Sequence, residues 1–239
     1  MEQLDPKKTL DTKRFMEYEE SVKDSKIIDY TLSLINKKNM KILDVGGASG
    51  VFLNEIMVKS RYPIKAFNLE ISDYYKDRLV NKNIKFIRSS IIDNKIKDNT
   101  FDIVVFRHIL HHLVSDSIKN TLNNQEKALY EMFRIVKKGG HVVFEEEVNE
   151  IQFFSKIIYL LSKIANKLKI RLKYFETGKV VVLFNSSEGI KKIIDVPYEK
   201  GNISILKKDY VPWNLKLKWK ITLLMSKVGS VCYLIKVNK

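Results

Sequence analysis

Asp44-Val-Gly46-Gly47-Ala48-Ser49-Gly50 sets three glycines and two other small residues behind one acid. Small residues let a ligand lie against the backbone, and the free amides of a following helix point at whatever binds there. A phosphate would be repelled by Asp44, whereas a ligand with an amino group is matched by it. The dinucleotide fingerprint also fails, because Val51 stands where its third glycine should be. A second group is Arg107, His108, His111 and His112, and a third is Glu145, Glu146 and Glu147. An imidazole is a natural base for taking a proton from a hydroxyl or amine. His108 and His111 are three apart and could share a helical face, with packing as the alternative role. The glutamates are a second candidate base cluster. The sequence does not choose between them.

The elements that must position these groups follow from periodicity. Ile42, Leu43 and Val45 read as a buried strand running into the small-residue turn, and Val51 to Lys59 resumes at helical spacing. Residues 12 to 37 read as helical, with Ile28, Leu32 and Ile35 on one stripe. Strands are expected near 41–45, 64–69, 85–88, 101–106 and 140–145, with helices near 49–59, 74–81 and 124–137. The Gly139-Gly140 pair is expected to end the helix at Lys138 and open the next strand. Such alternation implies a mostly parallel sheet with helices on both faces. Beyond residue 147 the plan changes. Phe154, Ile158, Leu161, Ala165 and Leu168 form a helical stripe within 151–175, among Lys156, Lys163, Lys167, Lys169, Arg171 and Lys173. That basic amphipathic segment suits a core-facing helix, a lid or a helix lying on an anionic membrane. Val180 to Phe184 then reads as extended, Ser186 to Ile194 as a capped helix, and 203–210 and 230–237 as strands.

Four segments in order carry a resemblance. Lys41 to Leu53 resembles motif I of class I S-adenosylmethionine (SAM)-dependent methyltransferases, and Lys65-Ala-Phe-Asn-Leu-Glu70 resembles that family's second strand ending in an acid. Phe101 to Leu113, with its Leu-His-His-Leu run, and Arg134 to Phe144, with its Gly-Gly turn, resemble the fourth and fifth strand regions. The resemblance covers residues 40 to 147 and implies a Rossmann-like α/β three-layer sandwich. Its sheet would be seven-stranded and mostly parallel with an antiparallel last strand, with N-terminal helices and a helical insertion after the fifth strand. One domain is expected: a helical cap over 1–38, the SAM-binding core over 39–147, a basic insertion or lid over 148–178, and completion of the sheet over 179–239.

The resemblance also implies roles. Gly46, Gly47 and Gly50 would approach the methionine part of SAM, with Asp44 ordering the loop or meeting the ammonium group. Glu70 would take the ribose hydroxyls, since a carboxylate accepts two hydrogen bonds at once, and Ile71 would pack on adenine. Ala48 departs from the family's usual middle glycine, so its backbone must avoid positive φ or carry strain. Ser89-Ser90-Ile91-Ile92-Asp93 departs from the usual Gly-Asp, so adenine would be read by Ser90 and the Ile91 backbone or by Asp93 reaching back. Arg107 joins this cofactor set. His108, His111 and Glu145 are the catalytic candidates, since the acceptor sits after the fourth strand in this family. No metal is expected, because the carboxylate-rich set of metal-dependent members is not found.

Composition sets the remaining bounds. A chain of 239 residues with 45% hydrophobic content can bury one full core. A single cysteine, Cys232, rules out an intrachain disulfide or cysteine-based zinc cluster, and excludes the cysteine pair of cytosine C5 methylation. The Asn/Asp-Pro-Pro-aromatic signature of base-amine methylation is also absent after the fourth strand. No signal peptide or membrane-spanning run is visible, so a cytoplasmic location, or a peripheral one at a membrane, is expected. Residues 1–150 carry 25 basic and 23 acidic side chains, a net of +2, whereas residues 151–239 carry 18 and 5, a net of +13. Such asymmetry marks a surface for anionic partners or a solvated coat. The expected reaction is methyl transfer from SAM, giving S-adenosylhomocysteine, to a small-molecule, lipid-linked or glycan acceptor. An RNA methyltransferase using the basic third, or a SAM-binding protein without turnover, is the alternative.

Overall fold

Hydrophobic runs without polar alternation become central strands, because a parallel sheet is covered on both faces. The computed structural model describes residues 26–170, 181–217, 220 and 225–239. Its strands are β1 (Lys41–Val45), β2 (Lys65–Glu70), β3 (Lys85–Arg88), β4 (Phe101–Arg107), β5 (Val136–Asn149), β6 (Ile203–Pro212) and β7 (Val228–Val237). They form one sheet in the order β3-β2-β1-β4-β5-β7-β6. All pairs from β3 to β5 are parallel, and β7 runs antiparallel between β5 and β6. The expected architecture, with its antiparallel last strand, is the one observed.

Helices cover both faces. On one side, Ile27 and Ile28 of α1 (Lys26–Leu34) and Phe52, Leu53 and Ile56 of α2 (Val51–Lys59) pack on Ile42, Ile103, Val105 and Val143. On the other, Ala128, Leu129 and Met132 of α3 (Ile118–Ile135) join Leu43, Val104, Phe106, Val142 and Phe144. Neighbouring strand residues thus enter opposite cores, as the two-residue repeat of a strand requires. Helix α4 (Gln152–Lys167) follows β5, and α5 (Ser187–Glu199) adds Ile190 and Ile194 to the second core. The expected N-terminal helix is described only from Lys26, and residues 171–178 of the expected insertion lie outside the described residues.

Three local expectations change. Residues 74–81 form no α-helix but a 3-10 segment, Asp73–Arg78, whose start is held by Ser72 accepting from Tyr74 N. Helix α3 starts six residues earlier than expected, because Ser117 Oγ accepts from Asn120 N and caps it. It also ends at Ile135, so Gly139-Gly140 does not terminate it. Instead Phe101 faces Val136 and Ile103 faces His141, which leaves the glycine pair in a bulge of β5. Gly139 has φ 77°, and a Cβ on Gly140 would lie 2.7 Å from the Asp102 carbonyl oxygen. A left-handed turn at Gly139 and the close approach of two strands at Gly140, rather than a helix stop, are what demand glycine here.

Candidate functional site

Strand order reverses at β1, whose neighbours β2 and β4 lead to opposite sides, and ligands of open α/β sheets bind at the carboxyl ends beside such a point. The small-residue loop leaves β1 there. Gly46 N donates to Leu69 O and Gly50 N to Gly47 O, both at 2.7 Å. Gly46 and Gly50 have φ 68° and 79°, and Gly50 opens α2. A Cβ at Gly46 would lie 2.3 Å from Ile109 Cδ1, and one at Gly47 would lie 2.6 Å from Asp44 Oδ2. Asp44 is buried beneath the loop. Ala48 takes φ 44°, a left-handed conformation that costs a side-chain-bearing residue about 1–2 kcal/mol. Asn68 holds it there, donating from Nδ2 to Ala48 O at 2.8 Å. This wholly buried asparagine escaped the sequence reading. Its signal was a polar residue within an apolar strand, in register with Asp44.

The other cofactor candidates sit along the same edge. Glu70, the last residue of β2, accepts from Ile71 N at 2.8 Å and Ser72 N at 3.1 Å through Oε1, and Ile71 beside it is exposed. Ser90 and Asp93 pair backbone to backbone across a tight turn, with Asp93 N donating to Ser90 O at 3.2 Å. Ile91 is buried within that turn and Asp93 is exposed on it. Arg107 ends β4 with its guanidinium carbon 4.5 Å from the centre of the Phe52 ring at the start of α2. Arg107 Nε is buried and has no hydrogen-bond partner among the described residues.

His108 and His111 do not share a helical face. His108 has φ 51°, and the 3-10 turn Leu110–His112 begins after it. Alternation along β5 sends Glu145 and Glu147 one way and Glu146 the other. His108 Nε2 lies 3.4 Å from Glu145 Oε2, and Nδ1 lies 3.7 Å from Glu147 Oε1. His111 Nδ1 lies 2.5 Å from Glu146 Oε1, and both residues are buried. Glu146 also accepts from Leu110 N at 2.6 Å and Glu147 N at 2.9 Å. Burial pushes Glu146 up to about 7, and burial pulls His111 down to about 4. Burial also opposes charge on His108, but its hydrogen bond to Glu145 and the charges of the three glutamates prevail and raise it. Among the described residues, no group of three or more His, Cys, Asp or Glu side chains is placed to hold a metal ion.

One wall beyond the histidines is built from the later part of the chain. Leu183 N donates to His111 O at 3.0 Å, and the Phe184 ring stacks on His111 at 5.0 Å. Tyr159 of α4 donates its hydroxyl to Ser115 O at 2.9 Å, and Lys163 Nζ donates to Asp116 O at 2.6 Å. These contacts seat α4 against the loop after the histidines. A separate cleft of about 330 Å³, lined in part by Tyr130, Phe133, Pro197 and Ile203, opens at the amino ends of the strands.

Known proteins share the family and the fold of this chain. A family model described as a methyltransferase domain matches residues 14–173. The ubiquinone/menaquinone biosynthesis C-methyltransferase UbiE of Francisella tularensis subsp. novicida is 25% identical over 153 residues, covering 61% of this chain and 55% of that protein. An uncharacterized protein of Methanocaldococcus jannaschii is 31% identical over 155 residues, 64% of this chain and 60% of that protein. The chain therefore matches only about half of the length of such relatives. Among solved structures, the N-methyltransferase NodS of Bradyrhizobium japonicum, in complex with S-adenosylhomocysteine, superposes with a TM-score of 0.55. It is 12% identical, with 90% of this chain and 85% of that chain covered. The [4+2]-cyclase SpnF superposes at 0.58 with 11% identity, covering 89% and 80%. At such identities the likeness concerns the fold.

Proposed function

The chain belongs to the methyltransferase-domain family, and from that premise we propose that it transfers a methyl group from SAM to an apolar, lipid-linked or other small-molecule acceptor. The observation that carries this reading is the gathering of the glycine loop, Glu70, the Ser90–Asp93 turn and Arg107 along one carboxyl edge of the sheet beside β1. The loop supports such a cofactor by keeping its backbone bare: a Cβ at Gly46 would run into Ile109, and one at Gly47 into Asp44 and Asn68. Gly46 to Gly50 would receive the amino-acid part, with Asp44 and Asn68 fixing the loop from below. Arg107, a cation with a buried donor to spare, suits the carboxylate of that part. Glu70 would take the ribose, and Ser90, Ile91 and Asp93 would border the adenine beside Ile71.

When bound, SAM supplies an activated methyl carbon, so the protein has mainly to align the acceptor and exclude water. His108 stands on the rim with Glu145 and Glu147, a group that can accept a proton and stabilise the resulting imidazolium. We assign the proton-accepting role to His108. His111, buried and bonded to Glu146, instead braces the turn that carries it. Four of the curated relatives are named for C-methylation in ubiquinone and menaquinone biosynthesis, which supports a lipid-soluble aromatic acceptor. Titration calorimetry with S-adenosylhomocysteine tests the cofactor site. Binding by the wild-type chain should weaken by about tenfold or more in Glu70→Ala and vanish in Gly46→Ala. No binding by the wild type at millimolar ligand would overturn the reading.

A further inference from the structure

Helix α4 has a face that stays exposed among the described residues. The residues it turns inward are small or polar-tipped: Ser155, Tyr159, Ser162 and Ala165 are buried. Four of its large apolar residues, and Leu168 just past its end, point the other way. Phe153, Leu160, Leu161, Ile164 and Leu168 are 67%, 51%, 52%, 53% and 62% exposed. At 100° per residue, these five and the half-buried Ile157 fall within one sector of roughly a quarter to a third of the helix circumference. Lys156, Lys163 and Lys167 fall together along one margin of that sector, and α4 contains no acidic residue. The arrangement has three parts: an inner line, an outer apolar face and a lysine border.

A contiguous apolar face of this size on a surface helix marks a site of contact with something apolar. The lysine border selects what that is. An anionic lipid bilayer offers hydrocarbon for the apolar sector and negative headgroups for the lysines at its margin, which is the pattern of a helix lying in the membrane interface. Residues 151–239, in which α4 lies, carry a net charge of +13, so the long-range field has the same sign as the local border. With 16 residues and three lysines, α4 is too short and too charged to cross a bilayer, so its contact lies in the interface plane. We infer that the outer face of α4 docks this protein on an anionic membrane surface. Because α4 is seated on the loop after the histidines, docking would set the rim of the site against the bilayer and give a lipophilic acceptor a short path to His108. That last step alone rests on the methyltransferase reading above.

Flotation of the full chain with phosphatidylcholine vesicles, with and without phosphatidylglycerol, tests the inference. The wild type should float with the anionic vesicles, float poorly with neutral ones, and be released by salt. Combined Leu160→Ser, Leu161→Ser and Ile164→Ser should abolish flotation. Because these side chains are exposed, S-adenosylhomocysteine binding in the same variant should be unchanged, which also reports that the fold is intact. Lys156→Glu with Lys167→Glu should lower partitioning by about tenfold or more. A wild type that ignores anionic vesicles while binding S-adenosylhomocysteine would overturn the docking inference and leave the cofactor site standing. Flotation without cofactor binding would do the reverse. Flotation that survives the serine variant would also overturn it. So would a wild-type dimer that the serine variant dissolves without any lipid binding, since the face would then belong to a second copy of the chain.

Discussion

A carboxyl and an imidazole buried side by side respond to pH in opposite senses, and Glu146 with His111 is such a pair. Glu146 in the fold titrates near 7, above its ordinary 4.5, so its contribution to stability is full below 4.5 and is lost as pH rises through 7. His111 titrates near 4, below its ordinary 6.5, so its contribution is full above 6.5 and is lost as pH falls through 4. Between about 4.5 and 6.5 the two slopes oppose each other, and the wild type should show little pH dependence from this pair. Glu146→Gln removes one slope. Urea denaturation of that variant should show stability declining as pH is lowered from 7 towards 4, more steeply than in the wild type. Parallel profiles would mean that the pair does not titrate as its burial implies. The sequence displayed both residues but not their pairing. Three consecutive glutamates look equivalent until strand alternation sends one of them inward.

Caps and bulges decide the elements at the next scale. Ser186 was legible as a cap: its Oγ accepts from Gly189 N at 3.0 Å and starts α5. Ser186→Ala should therefore cost about 1 kcal/mol in chemical denaturation with an unchanged denaturant slope, and a null effect would show that the first turn of α5 frays without cost. Ser117 does the same for α3 but was not legible, because the stretch from Lys119 to Asn124, polar except for Leu122, hides the helical period. Gly139-Gly140 misled for a different reason. A glycine pair after a helical pattern reads as a stop, yet here it answers to a strand that arrives from elsewhere in the chain. Helix α4 is legible as a helix, and its apolar period in the sequence runs through Phe154, Ile158, Leu161, Ala165 and Leu168. The buried line runs instead through Ser155, Tyr159, Ser162 and Ala165.

For the whole molecule, cofactor binding and stability are linked. A ligand that binds the folded chain alone stabilises it by about 2.7 kcal/mol at a hundred times its Kd. Saturating S-adenosylhomocysteine should therefore raise the thermal midpoint by several degrees. Glu70→Ala, about tenfold weaker or more, should lose about half of that shift or more at the same ligand concentration, whereas the serine variant of α4 should keep it. A shift of equal size in all three proteins would place the ligand away from the carboxyl edge of the sheet.

The sequence by itself determined the order of the strands, the small-residue loop after β1 and the uneven charge, because hydrophobic period, glycine spacing and charge are local properties of the chain. The tertiary structure decided what those properties face. Asn68 supports Ala48, Glu146 parts from its neighbours to meet His111, and α4 turns its small residues inward and its leucines out. Each depends on which distant segment lies within a few ångströms, and a periodic pattern records what a face is made of without recording what covers it.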